Sequence, residues 1–187
     1  MSGYAGLGVV EAEKCGESPI WGRDRREICG LASLRAQTST TFAPMTYARE
    51  HELVCDLLGA LEGESSPWKA NCVGTEFDYQ GGRTDVVLLL GVEVLAFEAK
   101  LYRWRVALHQ AYRNTSFAHY SYVVLPQATA ERAFLHRTEF ERRRVGLCFV
   151  QRFQMTVLIP APALQPILPA LTERARAAFG SHGPSHC

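Results

Sequence analysis

The stretch Arg83-Thr-Asp85-Val-Val-Leu-Leu-Leu90-Gly91-Val-Glu-Val-Leu-Ala-Phe-Glu98-Ala-Lys100 decides how this chain is read. Two apolar runs meet at Gly91, and a glycine between such runs is hairpin punctuation. Far from that turn, Asp85 opens the first run and Glu98 with Lys100 closes the second. Residues two apart on a strand share a face, so Glu98 and Lys100 project together while Ala99 packs on the other side. With Asp85 on the neighbouring strand, three polar groups can meet at one edge. Converging carboxylates repel unless a cation lies between them, and carboxylate oxygens suit the hard ions Mg²⁺ or Mn²⁺. Such an ion can polarise a phosphodiester and lower the pKa of a bound water, with Lys100 orienting that water or helping it lose a proton. The plainer alternatives are Asp85 as a turn residue after Gly81-Gly82 and Glu98 with Lys100 as an exposed edge pair worth ~0–1 kcal/mol. A charge closing the buried run Ala96-Phe97-Glu98 is hard to explain that way.

Outward from this hairpin the periodicities name the other elements. Tyr47, Leu53, Val54, Leu57, Leu58 and Leu61 recur at three- and four-residue steps, predicting an amphipathic helix from Thr46 to about Gly63. Extended runs are expected over 71–79, 84–91 and 93–101, the first two separated by Gln80-Gly-Gly-Arg83, which together form an antiparallel meander. Trp104, Ala107, Leu108 and Ala111 mark a second helix, and Tyr120-Ser-Tyr-Val-Val-Leu125 suits a fully buried strand ended by Pro126. A charged helix over 127–144, strands at 145–151 and 153–159, and a closing helix over 163–179 complete the order. The expectation is an α/β fold, a mixed sheet flanked by helices. Residues 1–44 are read as a loosely ordered N-terminal extension, 45–180 as the folded domain and 181–187 as a flexible tail.

The Asp85 and Glu98-Ala-Lys100 pattern resembles the PD-(D/E)xK superfamily of restriction endonuclease-like nucleases, and the order α-β-β-β-α-β from Tyr47 to Pro126 resembles that family's core. The resemblance implies a three-layer fold, a magnesium- or manganese-dependent phosphodiester hydrolase, and a nucleic-acid partner, DNA favoured over RNA. The segment Ala48-Arg-Glu50-His-Glu52-Leu-Val54 is similar to the opening helix of archaeal Holliday-junction resolvases, which implies a further glutamate in the site. Glu50 lies four residues before Val54 and seven before Leu57, on the expected buried stripe, where a carboxylate needs a cation or donors. Glu50 is therefore preferred to Glu52 as a third ligand or supporting group. Family members also place a glutamine in the second helix, which here is Gln110. Position 114 is Asn where exonuclease-like branches carry tyrosine, and Thr84 stands where the nominal proline precedes Asp85. The first departure favours an endonuclease. A non-catalytic nuclease-fold module that binds nucleic acid or a protein is the alternative, and a homodimer is compatible with cutting both strands of a duplex.

The bulk numbers agree with one ordinary domain: 187 residues, 47% hydrophobic and 21% charged, with a mean hydropathy of −0.08. No run approaches the ~20 apolar residues of a membrane span, and the opening residues lack the basic start of a secretory signal, so a cytoplasmic setting is expected. The six cysteines form no C-x-x-C pair and read as reduced, buried thiols; no histidine has ligand spacing. Charge is divided along the chain. Residues 1–98 hold 8 Lys or Arg against 15 Asp or Glu, and residues 99–152 hold 10 against 3. That division suits carboxylates for a metal in one half and contacts to a phosphate backbone in the other, or else an arginine-rich solvated helix face. Arg83, Arg103, Arg105 and Arg113 are the candidate phosphate contacts, whereas Glu76, Asp78 and Arg142-Arg-Arg144 are expected to face water.

Overall fold

The computed structural model describes residues 46–79 and 81–180, so the expectations for 1–44 and 181–187 lie outside them. The elements are α1 (Glu50–Glu62), β1 (Cys72–Tyr79), β2 (Gly82–Leu90), β3 (Glu93–Ala99), α2 (Trp104–Asn114), β4 (Tyr120–Leu125), α3 (Gln127–Phe134), α4 (Arg137–Arg143), β5 (Gly146–Gln151), β6 (Gln154–Ile159) and α5 (Pro169–Gly180). Six strands form one sheet in the order of the sequence. The β1–β2, β2–β3 and β5–β6 pairs are antiparallel, and β3–β4 and β4–β5 are parallel. The protein is thus α/β, with a mixed sheet flanked by helices.

Strand alternation divides the core between the two faces. Val86 and Leu88 of β2, with Leu95 and Phe97 of β3, pack against Leu53, Leu57 and Leu61 of α1. Val87 and Leu89, with Val94 and Ala96, face the opposite way, into a cluster that includes Phe117 and Ala175 of α5. The α2 and α3 alanines join Val123, Leu125 and Leu147 in a further cluster under β4 and β5. The central strands are buried on both faces, which is why they read as almost continuous Val and Leu. Trp68, before β1, meets Phe97 and Tyr122 edge-on at 5.6 and 5.2 Å and closes the α1 side.

Three expectations need correction. The helix expected from Thr46 starts at Glu50, and Glu52 folds back so that its Oε2 accepts the Ala48 amide at 2.8 Å. The 127–144 segment is two helices broken at Leu135-His136, with no glycine or proline to announce it. Packing makes the break: Trp104 of α2 stacks on both His136 and Phe140, with centroids 5.1 and 5.7 Å away. The closing helix starts at Pro169 rather than 163, because proline fits the first helical position but not the interior. The residues ahead of it tie the chain down instead, the Leu164 and Leu168 amides donating to His119 and Ser116 carbonyls at 2.9 and 2.8 Å.

The β5–β6 turn hides a polar anchor. Arg152 and Phe153 both have positive φ, 52° and 58°, the twist a two-residue hairpin wants but one that non-glycine residues adopt at a cost. Asp56 of α1, 5% exposed, offsets that cost by accepting the Arg152 amide at 2.9 Å, the Phe153 amide, and the Tyr47 hydroxyl. Burial and the neighbouring Asp56 push the Tyr47 phenol well above its ordinary range. No helix among the described residues is long and apolar enough to cross a membrane.

Candidate active site

The register Val86↔Phe97, carried one step outward, sets Asp85 opposite Glu98 at the open end of the β2–β3 hairpin. Asp85 Oδ2 accepts the Ala99 amide at 2.9 Å, which fixes its carboxylate against β3. Lys100, just past β3, donates to Glu50 Oε2 and to the Ala99 carbonyl, each at 3.0 Å, and its Nζ lies 3.8 Å from Asp85 Oδ2. Glu50, Asp85 and Lys100 therefore come together, from α1, β2 and the end of β3.

Glu98 sits apart in its environment. It is fully buried, its Oε1 accepts Asn114 Nδ2 of α2 at 2.7 Å, and its Oε2 has no hydrogen-bond partner. Burial, and then the charge of Asp85, raise its carboxyl pKa from 4.5 to about 7, against the pull of Asn114, Lys100 and Arg113. Taking the carboxylate out of water disfavours its charged form, and the facing Asp85 charge adds to this, so the two carboxyls resist being ionised together. Among the described residues two other buried side-chain oxygens are unpaired, Thr84 Oγ1 and Gln110 Oε1. A buried polar atom left unpaired costs about 1–3 kcal/mol.

Glu50 requires a correction. It is exposed rather than on the buried stripe, with 48% of its side chain open, because the stripe starts at Leu53, one turn farther in. Its carboxylate meets Lys100 at the rim instead. The arginines expected at a phosphate backbone are largely occupied. Arg83 pairs with Glu76 at 3.5 Å, Arg105 pairs with Glu139 at 3.3 Å while covering the Trp104 ring, and Arg113 donates to the Gly81 carbonyl at 2.6 Å. Arg103 is the exposed N-cap residue of α2. Glu76 and Asp78 face water as expected. Of the thiols, Cys72 and Cys148 are buried, but Cys55 is exposed beside His51, on the polar side of α1. Asn114 and Tyr79, which the sequence reading did not select, contact or approach Glu98; a polar residue closing an otherwise apolar helix face was the available signal for Asn114.

No protein-family model and no curated protein matches the chain. In fold it is similar to the solved structure of a protein of unknown function from Silicibacter pomeroyi, with a TM-score of 0.50 and 15% identity, over 71% of this chain and 87% of that one. The likeness extends to architecture alone.

Among the described residues, no three His, Cys, Asp or Glu side chains form a group able to hold a metal ion. Mg²⁺ asks for less, since it is commonly held by one or two carboxylates, with water and substrate phosphate completing its octahedron. Asp85 and Glu98 fit that requirement. They face each other at a strand end, and one of their oxygens is buried without a partner.

Proposed function

We propose that this protein is a metal-dependent nuclease with a restriction endonuclease-like core, hydrolysing phosphodiester bonds, in DNA first of all. The observation that carries the reading is the pairing of Asp85 with Glu98 across β2 and β3. One of the two carboxyls has its pKa raised to about 7 by burial and by the other's charge, and Lys100 lies beside them. Apposed acids that resist joint ionisation form a site for positive charge. The element order from α1 to β4 supports the same reading.

In this reading Asp85 and Glu98 would hold Mg²⁺ or Mn²⁺, which when bound supplies charge neutralisation at the phosphate and acidity to a water ligand. The chain's own residues do the rest. The Ala99 amide holds the Asp85 carboxylate in place, and Glu50 accepts from the Lys100 ammonium and directs it at the rim. With two of its donors committed, Lys100 has one left for an attacking water or a phosphoryl oxygen. The unpaired Gln110 Oε1 can accept from a water on the α2 side. Arg103 is an exposed cation for the backbone.

The test is incubation of purified protein with supercoiled plasmid, single-stranded DNA and RNA, with and without Mg²⁺ or Mn²⁺, beside a Lys100→Ala control. Metal-dependent cutting by the wild type, lost in the control, is expected. Nucleic acid bound but left intact at every metal concentration would point instead to a binding module, and neither binding nor cutting would overturn both readings.

A further inference from the structure

A line of three buried polar groups ends at Glu98. The Tyr79 hydroxyl donates to Asn114 Oδ1 at 2.6 Å, and Asn114 Nδ2 donates to Glu98 Oε1 at 2.7 Å. Tyr79 is 8% exposed and the other two are fully buried. The three residues come from the end of β1, the end of α2 and the end of β3, so the line joins three elements at the site.

In this orientation Tyr79 supplies a hydrogen to the amide oxygen, and the amide nitrogen faces the carboxyl. The β1–β2 turn is held against the same place, because Arg113 Nη1 donates to the Gly81 carbonyl at 2.6 Å. Gly82 permits that closeness: a Cβ there would lie 2.9 Å from Arg113 Nη2 and 3.0 Å from the Tyr79 hydroxyl. One Glu98 oxygen is thus held by the amide, and the other has no partner within the described residues.

We infer that Asn114, locked by Tyr79, is a positioning residue that holds Glu98 by one oxygen so that Oε2 is presented as the metal-binding donor. The inference rests on the reading of Glu98 as a ligand. A carboxylate anchored in this way gives up little rotational freedom when an ion arrives. Loss of such outer hydrogen bonds commonly weakens metal affinity by about 10- to 100-fold.

The probe is Mn²⁺ alone, titrated calorimetrically and followed by its electron paramagnetic resonance signal, at a temperature where circular dichroism shows every variant folded. Glu98→Gln should abolish binding at the site. Asn114→Leu should raise the Mn²⁺ Kd by about 10- to 100-fold. Tyr79→Phe, which keeps the bond to Glu98 and removes only the lock, should raise it by a smaller factor and also serves if Asn114→Leu does not fold. Tight binding in the wild type, lost in Glu98→Gln but unchanged in Tyr79→Phe and Asn114→Leu, overturns the inference and leaves the nuclease reading standing. No Mn²⁺ binding by the wild type overturns both.

Discussion

At the scale of the residue, Glu98 governs behaviour. Its carboxyl, fully buried and facing Asp85, titrates near 7 instead of 4.5, so the folded state prefers the protonated form. An acid whose pKa is raised by folding contributes stability that is complete below its unfolded value and is lost as pH rises through its folded value. In metal-free buffer the protein should therefore lose about 3 kcal/mol of unfolding free energy between pH 4.5 and pH 7, at 1.36 kcal/mol per pH unit. Urea titrations in chelator at several pH values measure this, and Glu98→Gln should flatten the slope; parallel curves for the two proteins would contradict it. Lys100 behaves differently. It lies at a partly open rim, where ion pairs are worth ~0–1 kcal/mol, so Lys100→Met should change stability by less than about 1 kcal/mol. Its cleavage rate, by contrast, should fall at least ~100-fold if the residue manages the attacking water. A variant that cuts as well as the wild type would remove Lys100 from the chemistry.

At the scale of the element, two joints are held by residues with no role at the site. Asp56 secures the β5–β6 turn to α1 through two amides and a phenol. Asp56→Ala should cost about 2–4 kcal/mol in chemical unfolding, since it strands buried donors at about 1–3 kcal/mol each. A cost under 1 kcal/mol would mean that the turn is self-sufficient. Arg144, which ends α4 with φ 59°, is the opposite case. Arg144→Gly should stabilise by about 0.5–1 kcal/mol, because glycine adopts that conformation without the side-chain penalty. A lower melting temperature would show that the Arg144 contact with the Ala163 carbonyl outweighs the strain. Elements that depend on their own periodicity were legible. The paired runs at 82–90 and 93–99 and the strand at 120–125 follow from alternation, apolar continuity and the glycines of the turns. The break at Leu135-His136 was not, because it depends on Trp104, some thirty residues earlier, stacking against both sides of it.

At the scale of the whole molecule, the uneven charge of the chain becomes a testable property. Residues 99–152 carry ten basic side chains against three acidic ones, yet several arginines there are committed to partners within the protein. Few remain for a backbone, Lys100 and Arg103 foremost. Nucleic-acid affinity should therefore fall only moderately with salt, with a logarithmic slope of about −2 to −4, at ~0.9 per phosphate neutralised. Fluorescence anisotropy across a salt series measures it. A slope near −8 would require Arg83, Arg105 and Arg113 to leave their partners, and a slope near zero would argue against a phosphate surface.

The chain by itself determined most element types, the β1–β3 meander and the facing of Asp85 and Glu98, because local periodicity and a hairpin's register need no distant information; the parallel placing of β4 and β5 came from the fold. The partners were decided only in three dimensions. Glu50 faces Lys100 at an exposed rim, Asn114 and Tyr79 take hold of one Glu98 oxygen, and Asp56 reaches the turn at 152–153. Hydrogen bonds and burial act over a few ångströms between residues up to about a hundred positions apart, and no pattern along the chain encodes which of them will meet.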